Sequence, residues 1–163
     1  MLGEVFFNES VILLALEGNN KEDILGEMAA NLHGQGLVKE TFKEAVIARE
    51  AEYATGLPTS FVSVAIPHTD IEHVNNKAIS VAVLKEEIPF GIMGDPEETT
   101  PVKVVFMLAM DEADSQLGLL TKLMQVFQDE STLKAIVNTK EKSELVKLLS
   151  DKLGFTLEGG VNE

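Results

Sequence analysis

The chain holds 163 residues, 45% of them apolar and none of them cysteine, the make-up of a compact domain whose core needs no cross-links. The lack of cysteine excludes disulfides, thiolate metal sites and a cysteine nucleophile, and it fits a reducing cytoplasm. A formal charge of −14 argues against nucleic acid, because neutralising phosphates takes clustered Lys and Arg. The acidity has two readings: it keeps the chain soluble, or it steers the chain toward a basic patch on a partner.

Glu4 and Asn8 interrupt the first apolar residues, so nothing there reads as a signal peptide. The longest apolar runs, Val11 to Leu16 and Val104 to Met110, are far below the roughly 20 residues a membrane span needs. Any membrane role is therefore expected to come through a partner.

In chain order, Val5 to Phe7 and Val11 to Leu16 read as short strands separated by the turn residues 8–10. A helix follows from about Asn20, with Ile24, Leu25, Met28, Ala29 and Leu32 as its apolar stripe and Gly34 or Gly36 as its stop. A second helix is predicted from about Lys39 to Tyr53, broken by Gly56-Leu57-Pro58. Three apolar, β-branched runs come next, Val62 to Ile66, Ile79 to Leu84 and Val102 to Met110, and their continuity suits strands covered on both faces. The stretch 89–101, with Gly91, Gly94, Pro96 and several acids, is expected to be an exposed loop. The remainder reads as helical, with one helix from near Ser115 and shorter ones from Ser131 and Ser143, the last stopped by Gly154. With no repeat or linker visible, the pattern predicts a single α/β domain over residues 1–163: a central mixed sheet flanked by helices.

Three histidines are present. His33 ends a predicted amphipathic helix, where a surface or helix-dipole role accounts for it. His68 directly follows Val62-Ser63-Val64-Ala65-Ile66-Pro67, at the carboxyl end of a predicted central strand, and ligand sites in open α/β sheets gather at such ends. Pro67 has no backbone donor and a fixed φ, so it ends the strand and stiffens the approach to His68. Thr69 and Asp70 follow at once, while Thr59 and Ser60 precede the strand; hydroxyls and amides of this kind can bond phosphoryl oxygens. Asp70 can instead hold one imidazole nitrogen and leave the other free as a nucleophile. Each of these is also an ordinary turn residue.

Arg49 lies on a helix face with Phe42, Ala45, Val46 and Tyr53, near the middle of an apolar stripe. A guanidinium there snorkels, pairs with a carboxylate or faces an anion, and its planar fork suits a phosphoryl group. His68, Asp70, Glu72 and His73 make a dense set of metal ligands, but no i, i+4 histidine pair exists and one loop would supply every ligand. No Gly-x-Ser-x-Gly surrounds a serine and no phosphate-cradling glycine loop appears, which disfavours a serine hydrolase and nucleotide binding.

The segment Arg49-Glu50, Thr55-Gly56 and Val64-Ala65-Ile66-Pro67-His68 resembles the IIA component of the fructose/mannitol class in the phosphoenolpyruvate-dependent sugar phosphotransferase system. The resemblance extends over nearly the whole chain, including Gln116-Leu117-Gly118-Leu119-Leu120 in a later helix. It implies that His68 receives a phosphoryl group from the phosphohistidine of HPr and donates it to a cysteine or histidine of a IIB protein. It further implies a membrane IIC component that couples the last transfer to sugar entry, and an Arg49 that helps hold the phosphoryl group. With no cysteine here, the next carrier is expected on a separate chain, which makes this a free-standing IIA unit. No cofactor and no metal are implied.

Two positions depart from the common pattern of that class. Thr69-Asp70 stands where most members have glycine after the active histidine, and Gln116 stands where several mannitol members carry a second histidine. Gln116 can donate a hydrogen bond to a phosphoryl oxygen but cannot titrate. The Pro-His-Thr-Asp sequence resembles the galactitol-specific branch, which implies a supporting role for His73. Alongside the transport carrier stands a second reading, a regulatory protein on the same fold whose His68 phosphorylation sets partner affinity.

Overall fold

The structure, a computed structural model, describes residues 4–110, 113–153 and 156–158. Strand β1 (Glu4–Phe6) and strand β2 (Ile12–Leu16) are separated by one 3-10 turn, capped by Asn8 accepting from the Ser10 N–H at 2.8 Å. Helix α1 (Lys21–Gly34) starts at Asn20, whose side chain accepts from the Asp23 N–H at 2.9 Å. Its five predicted stripe residues are all buried, and the four larger ones, Ile24, Leu25, Met28 and Leu32, each contribute about 1.5–3 kcal/mol by leaving water.

Helix α2 (Phe42–Glu52) starts three residues later than its periodicity predicts. The reason is tertiary. Val38 bridges Val74 in antiparallel fashion and the Lys39 N–H donates to the His73 carbonyl, so this stretch pairs with another loop instead of coiling.

Strands β3 (Gly56–Leu57) and β4 (Ser63–Ala65) form a small antiparallel hairpin, and β4 runs parallel to the long strand β6 (Asp95–Ala109). β6 pairs antiparallel with β5 (Ala78–Ile92), along which β1 and β2 take successive parallel stretches, Phe6 opposite Ala78 and Ile12 opposite Val81. With β7 (Thr156–Glu158) beside β1, the sheet order is β3-β4-β6-β5-β1-β7. Residues 78–84 of β5 are buried without a break, as a strand covered on both faces must be. Helices α3 (Ala113–Gln128), α4 (Glu130–Asn138) and α5 (Lys142–Leu153) complete the flanking layers, with Phe127 of α3 packed 5.3 Å from Phe106 of β6 between ring centroids. Asp129 caps α4, one residue before the α4 start and two before the expected Ser131; Gly154 lies outside the described residues.

The stretch 89–101 is not a loop. β5 and β6 run on through it as a bent hairpin arm that turns at Met93 and Gly94, the latter with φ +83°. The bend comes where residues 84–87 face the single residue 103. Beyond it Ile88, Phe90, Thr100 and Val102 are buried, and the acids 95, 97 and 98 face water. Composition marked the acidic rim correctly and hid this alternation.

The arm closes on β3. Gly56 pairs with Ile92, its carbonyl accepts from the Met93 N–H at 2.8 Å, and a Cβ on Gly56 would lie 2.4 Å from the Gly91 carbonyl oxygen. Only glycine permits that approach.

Candidate functional site

His68 emerges at the carboxyl end of β4, which has only three residues before Ile66 and Pro67 lead the chain out of the sheet. Pro67 stays anchored, since its carbonyl accepts from the Leu108 N–H of β6 at 3.0 Å. The imidazole is partly buried, and its Nδ1 lies 2.9 Å from the Ile66 carbonyl oxygen. A carbonyl only accepts, so Nδ1 carries the proton and the lone pair of the neutral ring resides on Nε2. The expected contact of Asp70 with a ring nitrogen gives way to this backbone contact.

Burial pushes the His68 pKa below its ordinary value. The Ile66 hydrogen bond opposes that shift, the nearby Arg49 charge adds to it, and the Asp70 carboxylate opposes it. The ring is therefore neutral, and nucleophilic at Nε2, at neutral pH.

Arg49 leaves the helix face where α2 rises out of the core: Phe42 and Val46 are buried, Arg49 is half-exposed and Tyr53 is exposed. Its Nη1 lies 3.3 Å from Asp70 Oδ1, and its guanidinium sits 5.2 Å from the Tyr53 ring centroid. His68, Arg49 and Asp70 are thus brought together at one end of the sheet, with Thr69 buried between His68 and Asp70.

Thr59 and Ser60 lie elsewhere. Thr59 and Ser60 occupy the turn of the β3–β4 hairpin, the opposite end of β4 from His68. The Thr59 hydroxyl donates to the Val62 carbonyl at 2.6 Å and accepts from the Phe61 N–H at 3.1 Å, while Ser60 donates to Glu130 Oε1 at 3.2 Å. His73 clasps the 70–74 loop to the start of α2, its Nδ1 2.7 Å from the Thr41 hydroxyl and its Nε2 3.7 Å from Glu72. Gln116 belongs to the first turn of α3, and its side chain lies outside the described residues. Among the described residues no group of three His, Asp or Glu is placed to hold a metal.

Glu50 and Thr55 form a buried pair beside β4. Glu50, only 2% exposed, accepts from the Thr55 N–H at Oε2 and from the Thr55 hydroxyl at Oε1, both at 2.8 Å. The Thr55 oxygen in turn accepts from the Ile66 N–H at 3.1 Å. Burial raises the Glu50 pKa, and the two Thr55 hydrogen bonds work against that rise. The hydroxyl at the His68 end of the hairpin is therefore Thr55, which precedes β3, and not Thr59. The available signal was antiparallel pairing: Gly56 opposite Ala65 sets Thr55 beside Ile66.

With this geometry in place, the likenesses to known proteins become specific. Residues 5–152 match the family model described as the phosphoenolpyruvate-dependent sugar phosphotransferase system, EIIA 2, and the chain belongs to that family. Its members are phosphotransferase components that work through a phosphohistidine intermediate. The chain is 26% identical over 122 residues to the galactitol-specific EIIA component of Escherichia coli K12, covering 75% of this chain and 81% of that one. It superposes with a TM-score of 0.73 and 22% identity on the solution structure of a complex of enzyme IIAMtl and phosphorylated enzyme IIBMtl from Escherichia coli, covering 91% of this chain and 99% of that one. The nitrogen regulatory protein IIA-Ntr of Neisseria meningitidis superposes at 0.68 with 25% identity, over 86% of this chain and 94% of the other.

Proposed function

We propose that His68 is the residue that carries the phosphoryl group, on Nε2, and that this chain receives the group from phosphorylated HPr and passes it to a IIB protein in uptake of a sugar alcohol such as galactitol. The observation that carries this reading is the bond from Nδ1–H to the Ile66 carbonyl, which leaves Nε2 as the free nucleophile. The galactitol-specific relative and the Pro-His-Thr-Asp sequence favour that substrate branch.

In the transfer, the Nε2 lone pair attacks the phosphorus of the donor's phosphohistidine. The donor's N–P bond breaks as the new one forms, and its electrons return to the donor ring. The positive charge that develops on the His68 ring is held at Nδ1–H against the Ile66 carbonyl. Transfer onward reverses the sense: a thiolate or imidazole of IIB attacks phosphorus and the Nε2–P bond releases its electrons to His68.

Arg49 neutralises the equatorial oxygens in this scheme. In the resting chain Asp70 occupies it, through a pair that is 38% and 67% exposed and so worth about 0–1 kcal/mol. A phosphoryl group of nearly two negative charges displaces a single carboxylate from such a pair. Thr69, the next residue after His68, supplies a further hydroxyl to this scheme. Tyr53 and Ile71, 59% and 42% exposed, give the site an apolar rim against which protein partners in the cytoplasm can seat. In this scheme coupling to sugar entry falls to a membrane IIC component; among the described residues no helix is long and apolar enough to cross a membrane.

The test supplies labelled phosphoenolpyruvate, enzyme I and HPr to wild type and His68→Ala, then adds a galactitol-type IIB protein. Acid-labile label on wild type alone, chased onto IIB, is the expected result; label on His68→Ala overturns the assignment. The similarity to a nitrogen regulatory protein supports a second reading, in which phosphorylated His68 sets the affinity for a regulatory partner. Label that loads normally and is never chased onto any IIB protein favours it.

A further inference from the structure

The backbone that orients His68 is itself held by a buried carboxylate, and we propose that Glu50 and Thr55 are positioning residues that fix the tautomer of the His68 imidazole. The proposal rests on the role given to His68 above and deepens it. Glu50 lies on the inner side of α2, where Phe42 and Val46 are also buried and where an apolar residue would fill the space without desolvating a charge. Its neighbours Glu44 and Glu52 face water. A carboxylate in that place needs a reason, and its hydrogen bonds supply one.

An ionised carboxylate only accepts, so Glu50 compels Thr55 to spend its single hydroxyl proton on Oε1. The Thr55 oxygen then has only lone pairs left, and one of them faces the Ile66 N–H at 3.1 Å. A threonine without Glu50 is free to rotate its proton toward Ile66 and abandon that bond. Ile66 is thus pinned through its N–H to Thr55, and Pro67 through its carbonyl to Leu108. Between these two fixed points stands the Ile66 carbonyl. That carbonyl accepts from His68 Nδ1 at 2.9 Å. The chain of contacts from Glu50 through Thr55 and Ile66 to His68 therefore determines which ring nitrogen is protonated and which faces the phosphoryl donor. Loss of the Thr55 hydroxyl leaves the Ile66 N–H without its partner and lets that carbonyl drift.

The test compares wild type, Thr55→Val, Thr55→Ser and Glu50→Gln, each as the full chain with nitrogen-15 in its histidines. Imidazole NMR reads the tautomer of His68 and circular dichroism reads the fold. Wild type is expected to hold the Nδ1–H form as the major neutral species. Thr55→Val, nearly isosteric, is expected to raise the Nε2–H form several-fold and to slow labelling of His68 about tenfold, the worth of one hydrogen bond. Thr55→Ser restores both readouts, and Glu50→Gln, which keeps one acceptor oxygen of two, moves them the same way by less. A folded Thr55→Val with the wild-type tautomer overturns the proposal. Should that variant not fold, Glu50→Gln with wild-type spectra overturns it, as does an Nε2–H majority in wild type. A wild type that holds the expected tautomer but accepts no label contradicts the role of His68 and leaves the positioning intact.

Discussion

Replacing Arg49 by glutamine separates the stability of the chain from its chemistry, because the two draw on this side chain to different extents. In the resting state the guanidinium has one carboxylate at 3.3 Å and one ring at 5.2 Å, and both partners face water. The exposed ion pair is worth about 0–1 kcal/mol and the ring contact about 0.5–1 kcal/mol. The fold therefore loses about 1–2 kcal/mol at most, roughly 2–8 °C in Tm for a chain of this size. A phosphoryl group in flight asks for more. One or two charge-assisted hydrogen bonds from the guanidinium, at about 1.5–3 kcal/mol each, make a loss of about 2–4 kcal/mol in the transition state reasonable, which is about 30- to 1000-fold in rate. Rapid-quench transfer of label from phosphorylated HPr, run beside thermal melts of the same samples, measures both quantities. A second signature follows from charge. Burial is the main cause of the depressed His68 pKa and the Arg49 charge adds to it, so the variant's acid limb moves to higher pH. A folded Arg49→Gln that transfers within about fivefold of wild type, about 1 kcal/mol, leaves Arg49 as a surface ion-pair residue and refutes the reasoning.

Asp70→Asn frees Arg49 and removes the carboxylate that opposes the depressed His68 pKa; its acid limb is expected to move to lower pH, with stability within about 1 kcal/mol of wild type by denaturant titration. Gly56→Ala places a methyl 2.4 Å from the Gly91 carbonyl oxygen, a backbone atom that cannot turn aside, so an overpacking cost of about 1–3 kcal/mol and a Tm lower by about 2–12 °C are expected in calorimetry. Glu50→Gln changes the pH dependence of folding. Because burial raises the Glu50 pKa in the folded chain, ionising it costs stability as pH climbs above about 4.5, and the variant's stability relative to wild type is expected to improve across that rise. A difference between the two that does not vary with pH would show that Glu50 ionises in the folded chain as easily as in water.

The parts of this molecule most legible in the sequence were those fixed by local periodicity. The stripe from Ile24 to Leu32 gave α1, and the continuous apolar runs gave the central strands. The start of α2 was misplaced because tertiary pairing of Val38 with Val74 overrides helical propensity there, and no short window contains both residues. The arm 89–101 was hidden by its composition: Pro89, Pro101 and the acids 95, 97 and 98 face water, and Gly94 makes the turn of a bent hairpin. At the site, the strand end and Pro67 mark the position of His68 and the apolar face of α2 marks that of Arg49, and the structure sets both beside Asp70. Thr59 and Ser60 carry hydroxyls near His68 in sequence, but the hairpin carries them to the far end of β4. Thr55 and Glu50 act through pairing across the same hairpin, information that resides in register and not in residue type.

The central claim is that His68 bears the phosphoryl group on Nε2 while Nδ1 stays protonated against the Ile66 carbonyl. Phosphorus-31 and nitrogen-15 NMR of the phosphorylated chain reads this directly, through the coupling between phosphorus and the ring nitrogen that holds it. The expected spectrum shows one phosphohistidine, coupled to Nε2 of His68, with Nδ1–H retained. Coupling to Nδ1 of His68, or a phosphoryl group on His33 or His73, would contradict it.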